Sequence, residues 1–245
     1  MARLQPGSAR DLAEVILGYG LILVVLWTPE SAQRILSPLA LAATLAVVLA
    51  RRHSREELGF GLRGLVPSLW ILPAAVALMV ASVLVCKRAG TLHPFYDADL
   101  AHASGYFLWT MYQQFLLQDY FLPRMTRILA SGPAALLFVA VLFATAHLPN
   151  LVLTVATFVW GLISCMLFRR YHNLYAVGLA QGLLGLCFAV CVPEALHHHM
   201  RVGLGYLHYH ATPPAGKGTI CQAICSVRTS EPPRPDPIYA GVRNR

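Results

Sequence analysis

Apolar residues in this chain gather into long runs separated by short polar punctuation. Seven runs reach or approach the roughly 20 residues that a bilayer-spanning helix needs. They cover approximately 12–27, 35–50, 66–86, 102–122, 134–148, 151–168 and 174–192. The pattern predicts an all-α fold, a polytopic transmembrane helical bundle of about seven helices, with six to eight as the range. The second, fifth and sixth runs are short for a full span, so they are expected either to tilt into a thinned region or to extend into the neighbouring loops.

Charge follows the same punctuation. The 19 Lys and Arg outnumber the 11 Asp and Glu, for a formal charge of +8, and nearly all of them fall between or beyond the apolar runs. Short cytoplasmic loops are the ones that collect Lys and Arg. An N-terminus inside puts Arg3, Arg10, Arg51, Arg52, Arg55, Arg63, Arg124, Arg127, Arg169 and Arg170 on the cytoplasmic side, against Arg34, Lys87 and Arg88 outside. Residues 1–11 are then a cytoplasmic N-terminus and 12–211 the membrane-embedded domain. Seven spans leave the basic tail outside, against the bias; an eighth span or re-entrant segment around 202–209 would resolve the conflict.

With 57% hydrophobic and 12% charged residues, the chain has about half the charge of a soluble domain. Small arginine clusters between apolar runs are not the basic stripe that nucleic acid requires, so no nucleic-acid partner is expected. The segment 212–245 is Pro-rich and poor in large aliphatics, and is read as a disordered tail. Cys86, Cys165, Cys187 and Cys191 lie in or beside apolar runs, where thiols act as small hydrophobes. Cys221 and Cys225 read as unpaired tail thiols. The basic start MARLQPGSAR lacks a following cleavage site, which favours a retained first helix.

The candidate chemistry lies in the few polar residues within the apolar runs, because such groups are costly in lipid. The fourth run carries Gln113, Gln114, Gln118 and Asp119; Gln114 and Gln118 are one turn apart on one face, with Gln113 beside it. The fifth carries His147, with Phe143 four residues earlier on the same face. The seventh carries Gln181 among small residues that permit close helix approach. A single Gln is ordinarily interhelical glue worth about 0.6–2 kcal/mol. A set spread over three helices points instead to a polar cavity. Asp119 lies about 140° around the helix from Gln114 and so is not expected to share its face. Glu56 and Glu57 sit in a charged loop and read as solvated surface, and Glu194 could join only from the boundary.

The order and spacing of these residues resemble the CPBP (CAAX-protease and bacteriocin-processing) family of intramembrane endopeptidases. That family carries two adjacent Glu followed by three residues and Arg, then F-x-x-x-H, then H-x-x-x-N, on successive helices. Phe143 to His147 fits the second motif; QQFLLQ, from Gln113 to Gln118, stands in the first with Gln for both Glu and the Arg; AQGLLG stands in the third, with Gln181 for His and Gly185 for Asn. LGFGLRG and WGLISCMLFRRYHNLYAVGLAQ are similar to flanking family stretches, and the resemblance covers roughly 55–190.

The resemblance implies hydrolysis of a peptide bond in a membrane-associated peptide or lipidated protein, with the bilayer as the other partner. It makes His147, Gln113, Gln114 and Gln181 the catalytic candidates and Gln118, Phe143 and Gly185 the substrate-facing ones. Glutamine has no basic form near neutral pH, so the family mechanism does not transfer intact and only His147 could act as base. A pseudoprotease that binds membrane peptides without cutting is the alternative, and a metal- or small-molecule-handling membrane protein using a His cluster is a third reading, so the sequence leaves open whether the protein is an enzyme. No cofactor is implied, although His197, His198 and His199, with His208 and His210, could hold zinc or another divalent metal, or simply sit at the headgroup level. A bacterial plasma (inner) membrane is the expected location.

Overall fold

The computed structural model describes residues 6–51, 54–92 and 100–209, and every regular element within them is helical. The Pro-rich 212–245, Cys221, Cys225, His210, Arg3 and Arg52 lie outside the described residues. A compact unit ends at Tyr209.

Each apolar run folds into a helix, with displaced ends. Helix α1 covers Pro6–Leu26 and α2 covers Glu30–Leu49. The third run divides into a short α3, Leu65–Ser68, and a long α4, Ile71–Ala89. The fourth continues past its expected end: α5, Leu100–Phe115, passes through a π-helical stretch, Leu116–Phe121, into α6, Leu122–Leu129. Pro123, which has no N–H to give to the helix, sits where the π-helical stretch passes into α6. The fifth is shorter than expected, α7 ending at Thr145, and α8 (Leu151–Tyr171) and α9 (Leu174–Cys191) follow. Asn150 and Asn173 cap α8 and α9, accepting from Leu153 N at 3.1 Å and Ala176 N at 2.9 Å. The segment 202–209 is not an eighth span: α11, Gly203–Leu207, is too short, and Gly203 N donates to Leu148 O at 2.8 Å.

Four helical stretches, Glu30–Leu49, Leu65–Ala89, Leu151–Tyr171 and Leu174–Cys191, are long and apolar enough to cross a membrane, and Gly132–Thr145 is a shorter apolar helix. Leu17, Val85, Leu108, Leu151 and Val155 are 65% to 72% exposed on the outside of the bundle. So much aliphatic surface is tolerable only in lipid. The chain is an integral membrane protein.

Packing is closest where side chains are smallest. Helix α7 lies along α8, while α4 and α5 both pack on α9. A Cβ on Gly178, Gly182 or Gly185 of α9 would run into Met111, Phe107 or Tyr106 of α5. This small-residue face brings the two glutamine-bearing helices together.

One end of the bundle is closed by ion pairs. Asp11 binds Arg51 at 2.7 Å and Arg127 at 2.6 Å; Glu14 binds Arg10 at 2.9 Å, Arg51 at 2.8 Å and the buried Arg124 at 2.7 Å. Arg124 also lies 4.1 Å from the Tyr120 ring centroid. The hydrogen bond from Arg127 leads in pulling the Asp11 carboxyl down to about 2, helped by Arg51 and opposed by burial. Arginines that the charge bias assigns to one membrane side thus meet in space. Glu56 and Glu57 are exposed, as expected, and Ser54 and Glu57 form a reciprocal capping box, with bonds of 2.8 and 3.2 Å.

Candidate active site

Between α1, α5, α7, α8 and α9 lies a cavity of about 580 Å³, lined mainly by aliphatic and aromatic side chains, with Gln113, His147 and Gln181 among its few polar ones. Phe143 and Gly185 also line it, so most of the positions carrying the resemblance meet at one cavity. Gln114 and Gln118, fully buried, stand behind its wall.

The four glutamines form one directed chain. Gln118 Nε2 donates to Gln114 Oε1 at 3.0 Å, Gln114 Nε2 to Gln181 Oε1 at 2.5 Å, and Gln181 Nε2 to Gln113 Oε1 at 2.5 Å. An amide can usually be reversed, but here one residue fixes the sense. Trp160 Nε1, which can only donate, bonds Gln181 Oε1 at 3.1 Å. Gln181 must therefore present oxygen to Gln114 and nitrogen to Gln113. Every amide in the chain then points the same way, and such chains polarise their bonds cooperatively. The chain ends on the Gln113 NH₂ group, which has no partner among the described residues and belongs to a side chain lining the cavity. At the far end Gln118 Nε2 also reaches Ser164 Oγ at 3.4 Å, while Gln118 Oε1 is buried without a partner.

His147 does not lie within its helix as expected. It follows the last turn of α7, in the loop before α8, and its ring turns back to cap that turn: Nδ1 lies 2.6 Å from Phe143 O. A carbonyl only accepts, so Nδ1 carries the proton and Nε2 is left as an acceptor. The Phe143 ring meets the imidazole edge-to-face, with centroids 5.0 Å apart. The F-x-x-x-H spacing thus supplies both the carbonyl and the ring that orient the imidazole.

The remaining expectations divide. Asp119, within the π-helical stretch, is buried, with Oδ2 unpartnered, and does not line the cavity. Glu194 binds His199 at 2.7 Å and the Tyr209 hydroxyl, away from the glutamines. The buried His197 takes a bond from Met200 N at 3.0 Å and faces Val192 O at 3.0 Å. His198 stacks on Tyr206, with centroids 4.2 Å apart. No three His, Cys, Asp or Glu among the described residues converge as a metal site. The backbone of the His-rich segment caps the start of α8, with His197 O and Arg201 O accepting from Asn150 Nδ2 at 2.8 and 3.2 Å. Trp160 and Ser164 lay outside the motif-based expectations. Their spacing from Gly161 on one α8 face was visible in sequence, but nothing linked that face to the glutamines.

Fold and site together define a polytopic membrane protein with a polar site buried in the walls of an apolar cavity. Residues 100–187 match the family described as Rce1-like, type II CAAX prenyl endopeptidase Rce1-like. The match runs from the start of α5 into α9 and contains every glutamine of the site, His147 and Gly185. Over that stretch, a little over a third of its length, the chain is similar to the family that the motif spacing points to. No curated protein and no solved structure matches it.

Proposed function

We propose that this protein is a seven-span intramembrane hydrolase of peptide bonds in membrane-associated or lipidated chains, with its N-terminus on the cytoplasmic side. The observation that carries the proposal is the pairing of opposite chemistries on one cavity: a histidine whose tautomer leaves Nε2 free to accept a proton, and a polarised amide donor at Gln113. In this reading His147 Nε2 takes a proton from water, and the hydroxide attacks the carbonyl carbon. Gln113 Nε2–H, with the chain behind it, stabilises the oxyanion. Collapse breaks the C–N bond, and the proton on His147 passes to the leaving nitrogen, giving a carboxylate and an amine.

One observation favours a second reading. No amide of the chain can take up and return a proton, and Gln181, standing where the family has His, is hydrogen-bonded through both its oxygen and its nitrogen. A cavity that grips a carbonyl without cutting would look the same. Purified protein incubated with a library of membrane peptides separates the two. Fragment release that disappears in His147→Ala supports hydrolysis, and release that persists there overturns the base assignment. Saturable peptide binding without release, weakened in Gln113→Ala, supports the binder; cleavage gained by the triple change Gln113→Glu, Gln114→Glu, Gln181→His would show that only the chemistry differs.

A further inference from the structure

Helix α8 rises about 31 Å over its 21 residues, and its two ends carry different features. His147 precedes one end. At the other, the loop 54–64 folds against the α8–α9 turn and leaves a concave pocket of about 380 Å³, bordered by Glu56, Arg63, Gly64, Arg170, Tyr171 and His172. The pocket has a fixed backbone. Leu174 N donates to Gly59 O at 2.8 Å, Asn173 Nδ2 to Gly61 O at 3.2 Å, and the ring Nε2 of His172 to Glu57 O at 2.8 Å. Gly64 lies so near Tyr171 O that a Cβ there would collide with it.

The charge in this pocket is uncompensated. Each arginine around Asp11 and Glu14 touches a carboxylate at 2.9 Å or less, whereas among the described residues Arg63 reaches only Glu56, at 3.9 Å with both side chains largely exposed. Arg170 forms no ion pair among the described residues. Two guanidinium groups thus stand against one carboxylate. The level is also fixed: α8 leaves its apolar run at Phe168, and beside the pocket Trp70 Nε1 donates to Tyr171 OH at 3.0 Å. A Trp–Tyr pair where an apolar run meets arginines marks the headgroup zone. The volume falls within the ~300–1,000 Å³ of small-ligand sites.

We infer that this pocket binds the phosphate of an anionic phospholipid headgroup, with Arg63 and Arg170 as its two cationic walls. Guanidinium donors grip phosphate oxygens in pairs. The chemistry of the pocket would suit a soluble phosphate as well; its place among Trp70, Tyr171 and the end of the apolar run favours the lipid.

The test uses the full chain in detergent, titrated with phosphatidylglycerol and, separately, with phosphatidylcholine, bound lipid being counted by native mass spectrometry. An arginine near an anionic surface is worth about fivefold in affinity, so the double variant Arg63→Gln, Arg170→Gln is expected to lose roughly 30-fold for phosphatidylglycerol and much less for phosphatidylcholine, whose phosphate is offset by its own choline cation. Both side chains are exposed, so its thermal midpoint should match wild type; if it does not, the single variants, each about fivefold weaker, carry the test. Arg34→Gln, at the other end of the molecule, should bind as wild type does. An equal loss in Arg34→Gln would show a general charge effect and overturn the site. Inorganic phosphate that binds the lipid-free protein as tightly as phosphatidylglycerol, and displaces it, would overturn the lipid.

Discussion

The sense of the glutamine chain rests on a single indole N–H, and a double-mutant cycle on Trp160 and Gln181 tests it. Trp160→Phe removes one donor but leaves Gln181 Oε1 bonded to Gln114, so the loss is one interhelical hydrogen bond, about 0.6–1.5 kcal/mol. Gln181→Leu strands more groups. Gln114 Nε2, fully buried, loses its acceptor, and at about 1–3 kcal/mol for an unpaired buried group it dominates. Trp160 Nε1 and Gln113 Oε1 also lose partners, but both side chains are half-buried beside the cavity and can recruit water. The expected total is about 2–4 kcal/mol. In the double variant the indole is no longer there to be stranded, so its cost should fall short of the sum of the two single costs by about 1 kcal/mol. Reversible unfolding of each variant in mixed micelles measures the cycle. Additivity within about 0.3–0.5 kcal/mol would mean that Trp160 does not hold Gln181 and the direction of the chain is unfixed. A second readout follows the amides: in Trp160→Phe the Gln113 side-chain ¹⁵N resonance should shift as the chain becomes free to reverse.

Other consequences are testable separately. If the protein hydrolyses peptides, Gln113→Ala should lower the rate of the folded protein by about 10²–10³, as for loss of one oxyanion donor, measured by fragment release. Asp11 contributes stability above its unfolded value of 3.8 that is lost as pH falls towards about 2; the contribution is ~2 kcal/mol, and acid unfolding of Asp11→Asn should lack that component. Gly182→Leu should separate α5 from α9, seen as a large drop in thermal midpoint, because Phe107 already occupies the space a Cβ would take. Glu14→Gln should destabilise by about 3–5 kcal/mol in the same unfolding assay, since Arg124 is left buried without its carboxylate.

Some of this was legible because it is local. The shared face of Gln114 and Gln118 follows from helical repeat alone and appears as a 3.0 Å bond. Glycines beside Gln181 announced a close partner, and α5 is that partner. The surface reading of Glu56 and Glu57 needed only their charged neighbours. His147 was harder: periodicity carried the helix through it, whereas α7 ends two residues earlier and the ring caps the last turn. The π-helical stretch had no signature in residue type, and with it came the burial of Asp119.

Membrane residence, the approximate place of each helix and the presence of a small polar set at the motif positions were all fixed by the chain's own pattern. Those properties depend on composition and on a repeat of a few residues. Only the tertiary structure decided that Gln113 and Gln114 meet Gln181, that Trp160 orients the four amides, that Gln113 and His147 line one cavity, and that arginines 51, 124 and 127 converge on Asp11 and Glu14. These pairings join residues from about 20 to more than 100 positions apart. No local periodicity encodes such separations, because the helix contacts that create them depend on which small and large side chains fit together across the bundle.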